Sequence, residues 1–270
     1  MMQRWFTFTT TLLLLATGCL TAEETSSPSD LRLATTTSIR DSGLLDLLLD
    51  DFEARSGRSV EYVAVGTGAA LNLGRNGDVD ALIVHAPEQE ARFVEDGYGD
   101  HRTQIAWNMF VLLSPVDLPT DLDEALLAIV SEERCFVSRG DDSGTHMKEQ
   151  ELWQRLETAG ALTLVEDSNG VHPEGEWYFS IGQGMGAAIN MAHEKDCITL
   201  SDRGTALHFQ DKISLNTVEY NNSALFNPYA FIPVSDVGNP VADELLTYLV
   251  NDGRAIIENY TINGQPAFFV

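Results

Sequence analysis

Apolar and polar positions along the chain fall into two alternating rhythms. Short apolar runs, LRLAT (31–35), VEYVAV (60–65) and DALIVHAP (80–87), have the length of strands. Between them lie GLLDLLLDDFEAR, with leucines at helical spacing, the helical AALNLG, and the acidic helix EQEARFVED opened by Pro87. Strand and helix in this order predict an α/β fold with mostly parallel sheets. The run IAWNMFVLLSP (105–115) is longer and more apolar, with the reach to cross between two lobes. A second series follows it: a helix over 121–131, the strand CFVS (135–138) and the helix HMKEQELWQRLETA. Then come GQGMGAAINMAHEKD (182–196) with a tight helix start at its glycines, the strand CITLS (197–201), and a helix from DRGTALHF. The strand NPYAFIPV (227–234) and one helical stretch, PVADELLTYLVNDGRAIIENY, complete the chain.

The first nineteen residues have one arginine near the start, an apolar core too short for a membrane span, and small residues before a cysteine. That is a secretory signal. Ala16, Thr17 and Gly18 ahead of Cys19 resemble a lipoprotein cleavage box, so lipid attachment at Cys19 is expected, the alternative being an ordinary signal cut downstream. Residues 20–30, polar and rich in Ser and Thr, read as a tether. Beyond them, Cys135 and Cys197 are too few for a disulfide framework, so a hydrophobic core must hold the fold. The two begin strands of the same region in an oxidising compartment; the sequence leaves open whether they pair, since two strand starts need not be adjacent.

The formal net charge of −25, with only Lys148, Lys195 and Lys212 as lysines, argues against a nucleic-acid partner, which needs a basic face. An acid-rich, lysine-poor surface suits high-salt surroundings, or simply an acidic extracytoplasmic protein.

Against that charge, three loops stand out: TTTS (35–38), GTG (66–68) and SRGDDSGT (138–145). Each follows a strand and opens a helix. In open α/β sheets ligands bind beyond the carboxyl ends of the strands, where helix N-termini offer unpaired N–H groups and partial positive charge. Hydroxyls add donors without bulk, so such loops attract a small anion. Each loop alone is equally good capping and turn chemistry. Capping does not require Arg139, although that residue could instead pair with Asp141 or Asp142. Other chemistries fit less well. Ser143 and His146 form no nucleophile elbow, although an extracellular serine hydrolase of esters or phosphates using them is the alternative of another class. The six histidines, His85 among them, lack zinc-site spacing, so no metal and no cofactor is expected. GQGMG lacks the Gly-Lys-Ser/Thr of a phosphate loop.

With ATTTSIRDSGLL (34–45), GTGAAL (66–71), GDVDALIVHAPEQEARFVEDGYG (77–99), FVSRGDDSGTHMKEQELW (136–153), GQGMG (182–186), TLSDRGT (199–205) and NPY (227–229) in this order, the chain resembles the tungstate-binding proteins of bacterial ABC importers. The resemblance implies the two-lobed type II periplasmic binding protein fold. It implies a non-enzymatic, monomeric receptor that closes on a tetrahedral oxyanion outside the cell membrane and delivers it to a permease with its ATPase. Carried over by position, the site comprises Thr36, Thr37, Ser38, Arg139 and Thr145; loop position and chemistry add Thr67 and Ser143. Crossings near Ser114–Pro115 and Asn222–Pro228 divide the chain into residues 31–113 with 228–270 as lobe 1 and 114–227 as lobe 2. Molybdate, sulfate and phosphate are rival ligands. Phosphate keeps a proton at neutral pH and wants a carboxylate acceptor, whereas the others want donors only.

Overall fold

The leucines that set the helical rhythm become one buried stripe. In the computed structural model, which describes residues 29–167 and 170–270, Leu44, Leu45, Leu48, Leu49 and Phe52 of helix α2 (Leu44–Ser56) all face inward. They pack on Leu31 and Leu33 of strand β1 (Leu31–Thr36) and on Tyr229 and Phe231 further along the chain. Each buried leucine contributes about 1.5–3 kcal/mol. The signal segment, Cys19 and most of the tether lie outside the described residues. The folded part is already tied down at Asp30, whose carboxylate accepts from Ser59 N–H at 2.9 Å and Ser59 Oγ–H at 3.1 Å.

After β1 come α1 (Thr37–Asp41), α2, β2 (Val60–Val65), α3 (Thr67–Asn76), β3 (Ala81–Val84), α4 (Pro87–Glu95) and β4 (Thr103–Ser114). The second half runs α5 (Leu122–Ser131), β5 (Phe136–Ser138), α6 (Gly144–Thr158), β6 (Leu164–Asp167), β7 (Gly170–Pro173), β8 (Tyr178–Ser180), α7 (Met185–Lys195), β9 (Ile198–Asp202) and α8 (Arg203–Phe209). It closes with β10 (Asn216–Val218), β11 (Phe226–Pro233), α9 (Pro240–Val250) and α10 (Asp252–Asn259). The main strands follow the order β2-β1-β3-β11-β4-β9-β5-β8, with β10 also on β4. Parallel pairs form the outer parts, β2-β1-β3 on one side and β9-β5-β8 on the other. The two long strands β4 and β11 run antiparallel through the middle.

Strand β4 joins the two halves by changing partners. Through Met109 it pairs with β11, and from Phe110 onward with β9. Its side chains divide in the same way: Ile105 and Ala106 belong to the core under α2, while Phe110 and Leu112 belong to a second core with Leu126, Phe136 and Trp153.

Two features depart from the sequence reading, and a question it left open is answered. The final helical stretch is two helices, α9 and α10, because Asn251 leaves helical geometry at φ −117°, ψ −90° and its amide donates to Thr247 O at 2.7 Å. The short strands β6, β7, β8 and β10 are additional. Cys135 and Cys197 do pair: β5 and β9 are parallel neighbours with Phe136 opposite Ile198, which sets the cysteine Cα atoms 4.7 Å apart in a disulfide. Among the described residues no helix is long and apolar enough to cross a membrane.

Candidate anion-binding site

Two helix N-termini from opposite halves of the sheet meet at one place. Gly66, the N-cap of α3, lies against Ser143, the N-cap of α6: a Cβ at Gly66 would stand 3.8 Å from Ser143 Cα and 3.9 Å from Asp141 O. Neither helix carries an acidic residue in its first turn, so the partial positive charge of both ends is not offset from within the helix. The hydroxyls there are divided. Ser143 Oγ accepts from His146 N–H and so caps α6. Thr67 Oγ1 and Thr145 Oγ1 are buried without any hydrogen-bond partner, and their residues are 0% and 1% exposed. A buried hydroxyl with no partner is costly, by about 1–3 kcal/mol, and such groups call for an explanation.

Arg139 is buried beside them. Its Nη2–H donates to Asp141 Oδ2 at 2.6 Å and its Nε–H at 3.2 Å. Of the alternatives left open by the sequence, pairing with Asp141 is the one formed; the Asp142 side chain points to solvent. The pair engages two of the five guanidinium N–H groups and fixes the plane of the rest. Asp141 Oδ1 also accepts from Ser143 N–H at 3.3 Å. The loop bends at Gly140, φ +59°, where a side chain would strike Ser180 Oγ, and Gln183 N–H donates to Arg139 O at 3.0 Å. The GQGMG segment thus buttresses the arginine loop as well as starting a helix.

The TTTS loop enters through hydroxyl bonds. Thr36, at the end of β1, shares a 3.0 Å hydrogen bond with Ser38 Oγ; Thr37 opens α1 and is half-buried. Thr35 is directed away, donating to Ile83 O at 3.0 Å. Ser38 Oγ also lies 3.1 Å from His85 Nε2. His85 is a site residue that sequence reasoning missed, since a lone histidine after a strand carries no distinguishing signal. Its Nδ1 lies 2.8 Å from Asn227 Oδ1, and Asn227 Nδ2–H donates to Asn108 Oδ1 at 2.7 Å. With Asn227 presenting its oxygen, Nδ1 carries the proton and Nε2 accepts from Ser38. Burial pushes the His85 pKa down to about 4, against the raising effect of the Asn227 bond and Asp202 and with the lowering effect of Arg139, so the ring is neutral.

A hydrolytic arrangement is not formed. Ser143 Oγ is the helix cap, and the His146 ring nitrogens face Asp142 N–H at 3.1 Å and the Gln150 amide at 3.1 Å. Among the described residues no group of His, Cys, Asp and Glu could hold a metal ion.

A mixed sheet in two halves, with donor-rich strand-end loops facing each other, defines a periplasmic-binding-protein architecture. Residues 21–252 match the PBP superfamily domain. The chain is 38% identical to the tungstate-binding protein TupA of Peptoclostridium acidaminophilum over 87% of this chain and 84% of that protein. To the tungstate-binding protein TupA of Campylobacter jejuni it is 34% identical, over 86% and 88%. The solved structure of a tungstate ABC transporter protein from Geobacter sulfurreducens superposes with a TM-score of 0.72 at 40% identity, covering 85% of this chain and 98% of that one. The chain belongs to the PBP superfamily and, within it, to the TupA family of ABC transporter binding proteins.

Proposed function

We propose that this protein is the extracytoplasmic receptor of an ABC importer and that it closes two lobes on tungstate. The observation that carries this reading is the pair of opposed helix N-termini with the unpartnered hydroxyls of Thr67 and Thr145 buried between them, beside Arg139. The ligand set is Thr36, Thr37, Ser38, Thr67, Arg139, Ser143 and Thr145. Ser143 contributes by fixing the start of α6, since its hydroxyl accepts from His146 N–H and its own N–H is held by Asp141. Ser38, whose hydroxyl is given to His85, contributes through the start of α1. Residues 31–113 with 228–270 make one lobe and 114–227 the other, and β4 and β11 supply the connection that bends. A permease and its ATPase receive the anion, and a lipid on Cys19 holds the monomeric receptor at the membrane.

Chemistry favours a fully deprotonated anion over phosphate. Two carboxylates near the loops are engaged: Asp141 with Arg139 and Ser143 N–H, and Asp202 with Thr205 N–H at 3.0 Å and Thr205 Oγ1–H at 2.5 Å. The third, Asp142, is turned to solvent, so a hydrogenphosphate among the donors would find no unengaged carboxylate beside it for its own proton. Tungstate over molybdate rests on the relatives. Calorimetric titration of the mature protein with tungstate, molybdate, sulfate and phosphate tests the reading. Tight tungstate binding with phosphate excluded is expected, and no heat with any of the four would overturn it.

A further inference from the structure

His85 touches more of the machinery than any ligand loop does. Its Nε2 meets Ser38 of the TTTS loop. Its Nδ1 meets Asn227 on β11, which continues to Asn108 on β4, so the ring is linked to both strands that carry the chain between the halves, directly to β11 and through Asn227 to β4. One face stacks on Tyr229, with centroids 4.8 Å apart and planes at 18°. The ring face, above Cε1, meets the start of α6 from the opposite half. A Cβ on Gly144 would stand 2.8 Å from His85 Cε1, 3.0 Å from Nε2 and 3.1 Å from Nδ1.

We infer that His85 is a positioning residue coupling the ligand loop to lobe closure, its neutral ring forming the seat on which Gly144 of the opposing lobe settles. This rests on the receptor reading above. Two physical points support it. Gly144 has ordinary helical backbone, so glycine is not required there for conformation; what forbids a methyl group is the imidazole across the cleft. A neutral ring is also what that place tolerates, because burial above all, and with it Arg139 and the N-terminus of α6, disfavours a cation. With no hydrogen on Nε2, the ring accepts the Ser38 hydroxyl and so fixes where the TTTS loop stands when α6 arrives.

A substitution at Gly144 therefore reports on closure and not on folding. Wild type, Gly144→Ala, His85→Ala and the double variant are compared by tungstate titration, by apo melting and by the contraction in radius of gyration on adding tungstate. Gly144→Ala should melt as wild type without ligand, contract less with it, and bind tungstate about tenfold more weakly (about 1.4 kcal/mol), since a methyl group is forced into a packed contact. In the His85→Ala background the same substitution should change affinity by less than about threefold. His85→Asn, shorter but still polar, replaces His85→Ala if the latter does not fold. Wild-type affinity in Gly144→Ala, or an equal loss in both backgrounds, overturns the inference. A wild-type protein that neither binds tungstate nor contracts would instead remove the receptor reading itself.

Discussion

Arg139 and Asp141 form a buried fork: Nη2 and Nε of the arginine both donate to one carboxylate oxygen, at 2.6 and 3.2 Å. The pair lies at the mouth of α6, where an uncompensated carboxylate would oppose any anion. Neutralised by Arg139, Asp141 instead aims the guanidinium. Structural pairing is formed, and it leaves three guanidinium N–H groups for the ligand role proposed above, so the two readings, rivals in the sequence, do not exclude each other.

Arg139→Ala should therefore act on both quantities. It removes charge-assisted bonds to the ligand worth roughly 1.5–3 kcal/mol each, so tungstate affinity should fall at least about tenfold. It also strands Asp141, so the apo protein should melt lower. Asp141→Asn should cost less on both counts, since the amide oxygen still accepts one bond. Titration and apo melting of the two variants check this; unchanged affinity in Arg139→Ala would remove the centre of the site.

Thr67→Val and Thr145→Val separate binding from stability in the opposite sense. Each replaces a buried, unpartnered hydroxyl by a methyl of the same shape. Apo stability should hold or rise slightly, because no hydrogen bond is lost and a desolvated polar group disappears. Affinity for tungstate should drop about tenfold to a hundredfold per site, the worth of one hydrogen bond to a charged group. A fall in apo melting temperature with intact affinity would assign these hydroxyls to structure.

His85 makes stability sensitive to acid. Unfolded, its imidazole takes a proton near 6.5; folded, burial holds it to about 4, so between these values the unfolded state binds more protons and stability falls with pH. The full window corresponds to roughly 3 kcal/mol. Glu149, buried and bonded to Tyr178 and Trp153, and Glu90, buried beside Arg102, have raised pKa values and act with the opposite sign. The difference between wild type and His85→Gln, measured by denaturant unfolding from pH 7 to 4, isolates the histidine. It should shift steadily against wild type as pH falls, and a pH-independent difference would refute the assignment.

Salt should help this protein at every step. A chain of net charge −25 repels itself and also repels an approaching dianion. The screening length shortens from about 10 Å at 0.1 M to about 3 Å at 1 M. Melting temperature should rise between these chloride concentrations, and the tungstate association rate should increase, the reverse of the usual attractive case. Stopped-flow binding and calorimetric melting provide the check.

The alternating elements from β1 to α4 were legible because each carries its own punctuation: leucines at helical spacing in α2, Gly66 before α3, Pro87 at the start of α4. The β6–β7 hairpin was not, since LVED and GVHP bury little and show no apolar alternation. The break at Asn251 lacks a proline, and the nearest glycine, Gly253, comes two residues late. At the candidate site, Thr67 and Ser143 could be read from loop position and chemistry, whereas Thr36, Thr37, Ser38, Arg139 and Thr145 come by position from the family resemblance. His85 could not be read from either: its meaning comes from Asn227, 142 positions away, and from a glycine on another helix. Partners that distant leave no local pattern.

The Cys135–Cys197 bond sits at the opposite end of β5 and β9 from the site. One of these strands leads directly to Arg139; the other ends at Asp202, the cap of α8. Parallel strands this short could slip by a residue, which would shift the arginine by about 3.3 Å and turn alternate side chains to the wrong face. The sulfur bridge works like a datum pin driven through two rulers at their zero marks. Whatever flexing occurs elsewhere, both scales still read true at the far end, so the placing of Arg139 depends on the oxidation state of two atoms that never touch it.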